Sequence, residues 1–243
     1  MHQAKAIPNA HSPRRLAAIA LTAGLLVVGF PWAAIAQQYN PPPVGLPGRR
    51  EGGGTRGDCS SADKPLMALM PDTNFGQTVS DYPTFYWYVP QISAEAAEFV
   101  LLDEDNNEIF ITTFAIADQP GVISLSLPEG SGMPPLEVGK DYNWYFSLIC
   151  DFSDRSGDLF TNGWIRRVDT TTLGLGDRLM TASESDRALI YAEAGLWFEA
   201  LDTLARLRRL NPSDPAVQAQ WGTLLRSVGL DEMVNEPFLP SQR

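Results

Sequence analysis

The sequence predicts a mostly β fold followed by a shorter α-helical segment, and three observations carry that expectation. Between about Leu66 and Asp169, short apolar runs alternate with turn residues, which is the period of paired strands. From about Leu173 onward the apolar residues recur at helical spacing instead. Ahead of both, Gln37–Gly57 is dominated by proline and glycine and shows no hydrophobic period, the composition of an extended or disordered arm. The expected organisation is an arm at 37–61, a β-sandwich at 62–169, a helical segment at 173–230 and an unstructured tail at 231–243.

The strands follow in order. "LMALM" (66–70) is a short apolar run. "YPTFYWYVP" (82–90) alternates Phe85, Trp87 and Val89 against Thr84, Tyr86 and Tyr88, so one side faces a core. "AEFVLLDEDNNEIFITTFAI" (97–116) reads as two strands around an Asp-Asn turn. "GVISLSLP" (121–128) sets Ile123, Leu125 and Leu127 against Val122, Ser124 and Ser126. "KDYNWYFSLIC" (140–150) puts Tyr142, Trp144, Phe146, Leu148 and Cys150 on one side, and "LFTNGWIRRVD" (159–169) supplies the last strand. About seven strands in about 105 residues is the size and spacing of an immunoglobulin-like sandwich. "LEVGKDY" sharpens this, because Leu136 and Gly139 precede Tyr142 at the spacing of the tyrosine corner of fibronectin type III domains. The resemblance implies a hydroxyl bonded back to the preceding backbone, although Val138 stands where those domains often have proline.

Three amphipathic segments follow: 183–195, 196–212 and 213–229. Ser183 with Asp186, and Ser213-Asp214-Pro215, are helix start signals, while Gly195 and Gly229 close two helices. Tyr191, Gly195, Ala200, Leu204, Leu207 and Pro212 sit at the relative offsets of a tetratricopeptide repeat, and Trp221-Gly222 begins a next repeat in register. Such arrays need about three repeats to stand alone, so this short piece is expected to lean on the sandwich or on a partner.

The N-terminus carries Lys5, Arg14 and Arg15, then the apolar run Leu16–Phe30, then Ala34-Ile35-Ala36. A basic start, a short apolar centre and small residues before Gln37 describe a cleavable signal peptide at 1–36. The run is shorter than the roughly 20 residues that cross a bilayer as a helix. Export by the general secretory or the twin-arginine route is open on Arg14-Arg15. Three of the 18 bases and none of the 29 acids lie in that segment, so the remaining 207 residues carry a net charge of -14. A chain so acidic repels nucleic acid and anionic lipid, which bind through clustered Lys and Arg. Both histidines, His2 and His11, leave with the signal. That excludes Ser-His-Asp and Cys-His machinery and histidine-ligated metals from the exported form.

Cys59 and Cys150 are the two cysteines. In an oxidising compartment a disulfide is the favoured reading, closing a loop of about 90 residues worth on the order of 4–5 kcal/mol in the chain-entropy model. A buried thiol beside an exposed one is the alternative. "GRREGGGTRGDC" (48–59) fails as a nucleotide loop, since no strand precedes it and no Lys-Ser or Lys-Thr pair follows its glycines. Its Arg-Gly-Asp triplet is short enough to arise by chance, and a solvated linker is the simpler reading.

The remaining candidates are weighed against plainer roles. Asp151, Asp154 and Asp158 offer oxygens for a weak calcium site, but the same residues are ordinary turn formers. Asp103, Asp105 and Asn107 lack the glycine and glutamate that complete a calcium loop, so a polar hairpin turn is expected. Tyr86, Tyr88, Tyr145 and Trp164 are the candidate glycan platform on a sheet face, against the reading that alternate aromatics fill a core. Tyr191, Trp197, Arg206, Arg209 and Trp221 are the candidate partner surface of the helical segment. Arg206, Arg208 and Arg209 also lie in the last turns of their helix, where cations meet its dipole favourably.

"GRREGGGTRGDC", "FYWYVP", "YNWYFSLIC" and "GWIRRV" in this order resemble a cyanobacterial family of secreted proteins catalogued as domain of unknown function nine-two-eight. The resemblance spans about Gly48–Gly229 and implies export and paired cysteines, with no activity to carry over. The expected function is a non-catalytic, exported binding or scaffold protein of the cell envelope, periplasmic or extracellular, with a protein partner and no cofactor. Recognition of an envelope polysaccharide is the first alternative, and a carboxylate-dependent hydrolase, which needs two acids of divergent pKa in a cleft, is the second. Deleting Leu173 onward is expected to abolish partner capture and leave the sandwich folded.

Overall fold

The computed structural model describes residues 1–3, 38–53 and 64–240. The expected signal segment and Cys59 lie outside the described residues, so the Cys59–Cys150 pairing does too. Met1–Ile35 and Ala36–Arg243 cluster as separate units, and the fold belongs to the second.

Among the described residues nine strands form one curled sheet. They are β1 (Arg49–Gly53), β2 (Met67–Ala68), β3 (Phe75–Thr78), β4 (Thr84–Val89) and β5 (Ala96–Leu102), followed by β6 (Glu108–Phe114), β7 (Gly121–Ser126), β8 (Asp141–Ile149) and β9 (Leu159–Arg167). The hydrogen-bonded order is β6-β5-β8-β9-β1-β2-β4-β7, antiparallel throughout. β3 lies parallel to the end of β9, with Phe75 opposite Trp164 and Thr78 opposite Arg167.

Aromatic side chains curl this sheet over on itself. β4 and β8 are separated in the strand order by β9, β1 and β2, yet Trp87 stacks on Phe146 at 4.3 Å and Phe85 meets Phe99 at 5.0 Å between ring centroids. Rings pack offset or edge-on at such distances and exclude water from the space between strands. The corner expected at Tyr142 is present: its hydroxyl accepts the Glu137 N–H at 2.9 Å, beside buried Leu136 and Gly139 at φ +85°.

The helices are α1 (Thr170–Leu173), α2 (Gly176–Thr181), α3 (Glu184–Glu193), α4 (Trp197–Leu210) and α5 (Pro215–Arg226). Ser183 caps α3 through Asp186 N, and Asp214 caps α5 through Ala216 N, with Pro215 in its first turn, so both start signals act as expected. Gly195, at φ +76°, turns the chain from α3 into α4. A side chain there would also strike Asn40 O at 2.9 Å. α4 buries Trp197, Phe198, Leu201 and Leu204 in the same apolar cluster that holds Phe85, Trp87 and Trp144.

One sequence expectation is narrowed and one is corrected. Over its described residues, 38–53, the arm takes the extended of its two expected forms: β1 bridges β9 and β2, and the buried Tyr39 ring packs edge-on against Trp197 at 5.0 Å. The tail is structured through Pro240. Val122 N–H donates to Pro237 O at 2.7 Å and Leu239 N–H to Val122 O at 2.8 Å, so the tail's backbone lies along β7. Strand edges carry unpaired donors and acceptors, and these residues satisfy some of them without a hydrophobic period of their own.

Candidate functional site

The site that the geometry singles out lies at the C-terminal end of α4. Arg206 has Asp202 four residues before it and pairs with it at 3.1 Å, and with Glu184 at 3.3 Å. Arg208 and Arg209 have Leu204 and Ala205 at that position, and neither pairs with a carboxylate among the described residues. Arg209 lies over the Phe238 ring at 4.3 Å and the Tyr86 ring at 5.6 Å, and donates to Ser124 Oγ at 3.1 Å. Arg208 lies over the rings of Trp221 at 5.3 Å and Phe238 at 5.2 Å. Its Nη1 is buried and has no hydrogen-bond partner among the described residues.

With Gln218, Val234 and Asn235 these arginines line a pocket of about 430 Å³. Burial pushes the Arg208 guanidinium below the usual arginine range, partly offset by Glu236. Arg208 as a whole is half-buried, and its enclosed Nη1 carries the cost of an unmade hydrogen bond. Both arginines are thus held against ring faces with no ion pair among the described residues, Glu236 acting on Arg208 only at longer range.

A second pocket, of about 230 Å³, has Glu199, Asp202 and Arg206 in its wall with Tyr82 and Tyr191. Glu199 Oε1 accepts from Thr78 Oγ1 at 2.6 Å, Val79 N–H at 2.8 Å and Ser80 N–H at 3.1 Å. Its Oε2 is enclosed and has no partner. Burial raises the Glu199 carboxyl above the usual glutamate value, opposed by those three bonds. Asp202 accepts Tyr86 O–H at 2.7 Å on one oxygen and Arg206 on the other. Both acids line the wall; three of their oxygens already accept hydrogen bonds within the protein, and the fourth, Glu199 Oε2, is enclosed.

The sequence-predicted residues are only partly brought together. Of the partner surface, Trp197 is 0% and Trp221 1% exposed. Their indole N–H groups donate to Leu69 O at 2.9 Å and Val234 O at 3.1 Å, so both are core residues, because the helices bury that face on the sheet and the tail. Tyr191 and Arg206 border the second pocket, and Arg209 the first.

The glycan platform does not form as one surface. Tyr86 and Tyr88 are each 4% exposed, since α4 and its neighbours cover the side of β4 that the alternation leaves outward. Tyr145 and Trp164 share the opposite face of β8 and β9 and are half-buried, with Trp164 Nε1–H donating to Pro47 O at 2.8 Å.

The acidic loop satisfies itself locally. Asp151 accepts from Ser153 N–H, Asp154 from Ser156 N–H, and Asp158 from Cys150 N–H and Arg155. Those bonds hold the Asp151 and Asp154 carboxyls below the usual aspartate range. Among the described residues no group of three or more His, Cys, Asp or Glu is placed to hold a metal ion. Cys150 closes β8, with its Sγ 3.3 Å from Gly157 O.

Phe238 and Asn235 are the site residues that sequence reasoning passed over, and Arg208 it assigned only to the helix dipole. The signal available was the missing acid three or four residues before Arg208 and Arg209, in contrast to Arg206.

Comparison with known proteins adds a family. The model of the family described as Domain of Unknown Function (DUF928) matches residues 51–238. No curated protein matches. Among solved structures, the apo structure of Bacteroides uniformis beta-glucuronidase 3 aligns at a TM-score of 0.24 and 12% identity, over 44% of this chain and 12% of that one. A likeness this low carries no argument. No helix among the described residues is long and apolar enough to cross a membrane.

Proposed function

We propose, for a chain that belongs to the family described as Domain of Unknown Function (DUF928), that it is an exported, non-catalytic binding or scaffold module of the cell envelope. It holds a negatively charged group of a protein partner between Arg208 and Arg209. The observation that carries this is the pair of arginines without an ion pair among the described residues, fixed over Tyr86, Trp221 and Phe238 at the wall of a 430 Å³ pocket. Pre-positioned guanidiniums lose little freedom on binding, which favours affinity.

Export is supported by the basic start, short apolar run and Ala-Ile-Ala ending of the first 36 residues, and it favours a Cys59–Cys150 disulfide. A sandwich reading of the curled sheet is supported by the Trp87–Phe146 stack between β4 and β8 and by the Tyr142 corner. A repeat-like reading of α3 to α5 is supported by the Gly195 turn and by the small buried residues Ala188, Ala192 and Ala200 between α3 and α4.

Protein is favoured over polysaccharide because Trp221 has no open ring face: it is 1% exposed and covered on one side by Arg208. Sugar stacking needs such a face. The hydrolase reading is disfavoured because Glu199 Oε2 is enclosed and both Asp202 oxygens already accept a hydrogen bond, from Tyr86 and from Arg206.

The test is a crosslinking pulldown from envelope extract with the 37–243 chain, at low and high salt. It is run beside an Arg208→Gln/Arg209→Gln chain checked for an unchanged melting point. A partner captured by the parent chain, released by salt and lost from the double variant is the expected result. A partner kept by the double variant moves the interface elsewhere, and recovery of glycan alone favours the polysaccharide alternative.

A further inference from the structure

The geometry points to the free edge of β6 as an interaction surface that takes an extended segment of a partner polypeptide as an added strand, uncharged along its middle and carrying Lys or Arg at its ends. This surface is separate from the Arg208–Arg209 pocket and does not depend on what that pocket holds.

The sheet has two ends, and the tail covers one of them. At β7, Val122 donates to Pro237 O and accepts from Leu239 N–H. At the other end β6 pairs with β5 alone, and among the described residues no further group bonds its main chain. Alternate N–H and C=O groups of an edge strand point away from its neighbour, a row that another chain can pair with.

Proteins blunt such a row with charge, proline or a bulge. Residues 109–117, "IFITTFAIA", hold no charge, proline or glycine. A bulge is present at Ile109, the extra residue between the Leu101–Phe110 and Leu102–Glu108 pairs, and it leaves 110–114 in regular register. Every residue of that stretch is β-branched or aromatic, the types that suit a strand. Phe110 and Phe114 turn to the core, toward Phe99 and Phe146, yet stay half-buried. Ile111, on the other face, is 46% exposed. An added strand fills the main-chain row and covers the open flanks of these side chains.

Charge selects the occupant. The turn that opens β6 presents the exposed Asp105 and Glu108, and the first charge beyond its other end is the exposed Asp118. None of these three carboxylates has an ion pair among the described residues. Lys140, whose neighbour Asp141 bonds Glu104 of that turn, is already paired with Glu137 at 2.7 Å. A second copy laid antiparallel on this edge sets the Glu108 end of one chain toward the Asp118 end of the other, and like charges so placed disfavour pairing. A segment with a cation at each end meets the same carboxylates favourably.

The experiment follows the backbone amide NMR signals and hydrogen exchange of β6 in the isotope-labelled 37–243 chain. The probe is the peptide acetyl-Lys-Thr-Val-Thr-Ile-Thr-Lys-amide. Its comparators carry Glu in place of both lysines, or Pro in place of the central Thr. Saturable shifts and slowed exchange at 110–114 are expected with the lysine peptide. It should bind at least about fivefold tighter than the glutamate peptide at low salt, with the gap narrowing at high salt. The proline peptide, which loses a ladder donor, should bind at least about tenfold more weakly. Ile111→Lys puts a cation in the middle of the edge at an exposed position, and should weaken the lysine peptide at least about tenfold with an unchanged melting point. Should that variant unfold, Thr113→Lys makes the same comparison.

Equal binding of the glutamate peptide overturns the charged-end assignment, and equal binding of the proline peptide overturns strand addition. Dimerisation of the chain alone, abolished by Ile111→Lys, makes a second copy the occupant and overturns the partner. Shifts confined to other elements, or none with any peptide, remove the edge as a docking surface.

Discussion

At the scale of single residues, Glu199 shows how one carboxyl can fasten two elements and still cost stability. Its Oε1 gathers Thr78, Val79 and Ser80, tying the segment after β3 to the first turn of α4, while its enclosed Oε2 has nothing to accept from. Burial outweighs the three donors and raises the folded-state pKa above the usual 4.5. For an acid with a raised folded pKa, the native state holds the proton more tightly than the unfolded chain. Stability is then fullest below about pH 4.5 and falls as pH rises from there through the folded value. Glu199→Gln keeps the acceptor oxygen and removes the charge, so the difference in urea midpoint between variant and parent should grow in the variant's favour from pH 4 to pH 8. An equal difference at every pH would show that the carboxyl titrates alike in both states.

No sequence pattern announces this residue. Its environment is made by residues about 120 positions away, and period or spacing cannot report so distant a contact. Arg208 and Arg209 differ, because the missing acid at i-4 is written in the local sequence and was masked only by the plainer dipole role. The two tryptophans offered as a partner surface fail for a related reason: helical spacing says which residues share a face but not whether that face meets solvent or a sheet.

At the scale of elements, β1 shows how a glycine-rich stretch that reads as linker can be a strand over Arg49–Gly53. Composition ties glycine to flexibility, but glycine is also what allows one backbone to pass close to another. A Cβ on Gly52 would lie 2.7 Å from Leu66 Cβ, and one on Gly48 would lie 2.9 Å from Asn162 O. The strand is held by its neighbours on both sides, so it needs no apolar alternation of its own. Gly52→Ala should therefore destabilise the protein by about 1–3 kcal/mol, the range for overpacking, read as a lower denaturant midpoint with an unchanged slope. An unchanged midpoint would mean that β1 yields without resistance. The longer strands β5, β8 and β9 were legible because each buries mainly one side. β3 was not legible, since four residues of parallel pairing leave too short a pattern.

At the scale of the whole molecule, the sheet and the helices do not divide the apolar core between them. Phe198 of α4 meets Phe85 of β4 at 5.2 Å, Trp197 donates to Leu69 O, and Tyr86 donates to Asp202. The helices are thus the missing wall of the curled sheet, and the sequence's change of period at Leu173 marks a change of element within one core. Removing them exposes this shared surface. Burial of a large apolar side chain contributes roughly 1.5–3 kcal/mol, so loss of Trp197, Phe198, Leu201 and Leu204 together forfeits roughly 6–12 kcal/mol. Net domain stability is about 5–15 kcal/mol, and the forfeited share is of that same order. A chain ending at Asp169 should therefore lack a cooperative urea transition and bind a hydrophobic dye, against the expectation from sequence that the β part stands alone. The 37–243 chain, measured beside it, should unfold in a single transition followed alike by tryptophan fluorescence and far-ultraviolet circular dichroism. A cooperative transition in the shorter chain would show that the sheet closes its own core, and would return the helices to the status of an appended segment. The outcome also bears on the arginine pocket. Its walls come from α4, α5 and the tail, with Arg209 bonded to Ser124 of β7, so the pocket cannot outlast the loss of the helices.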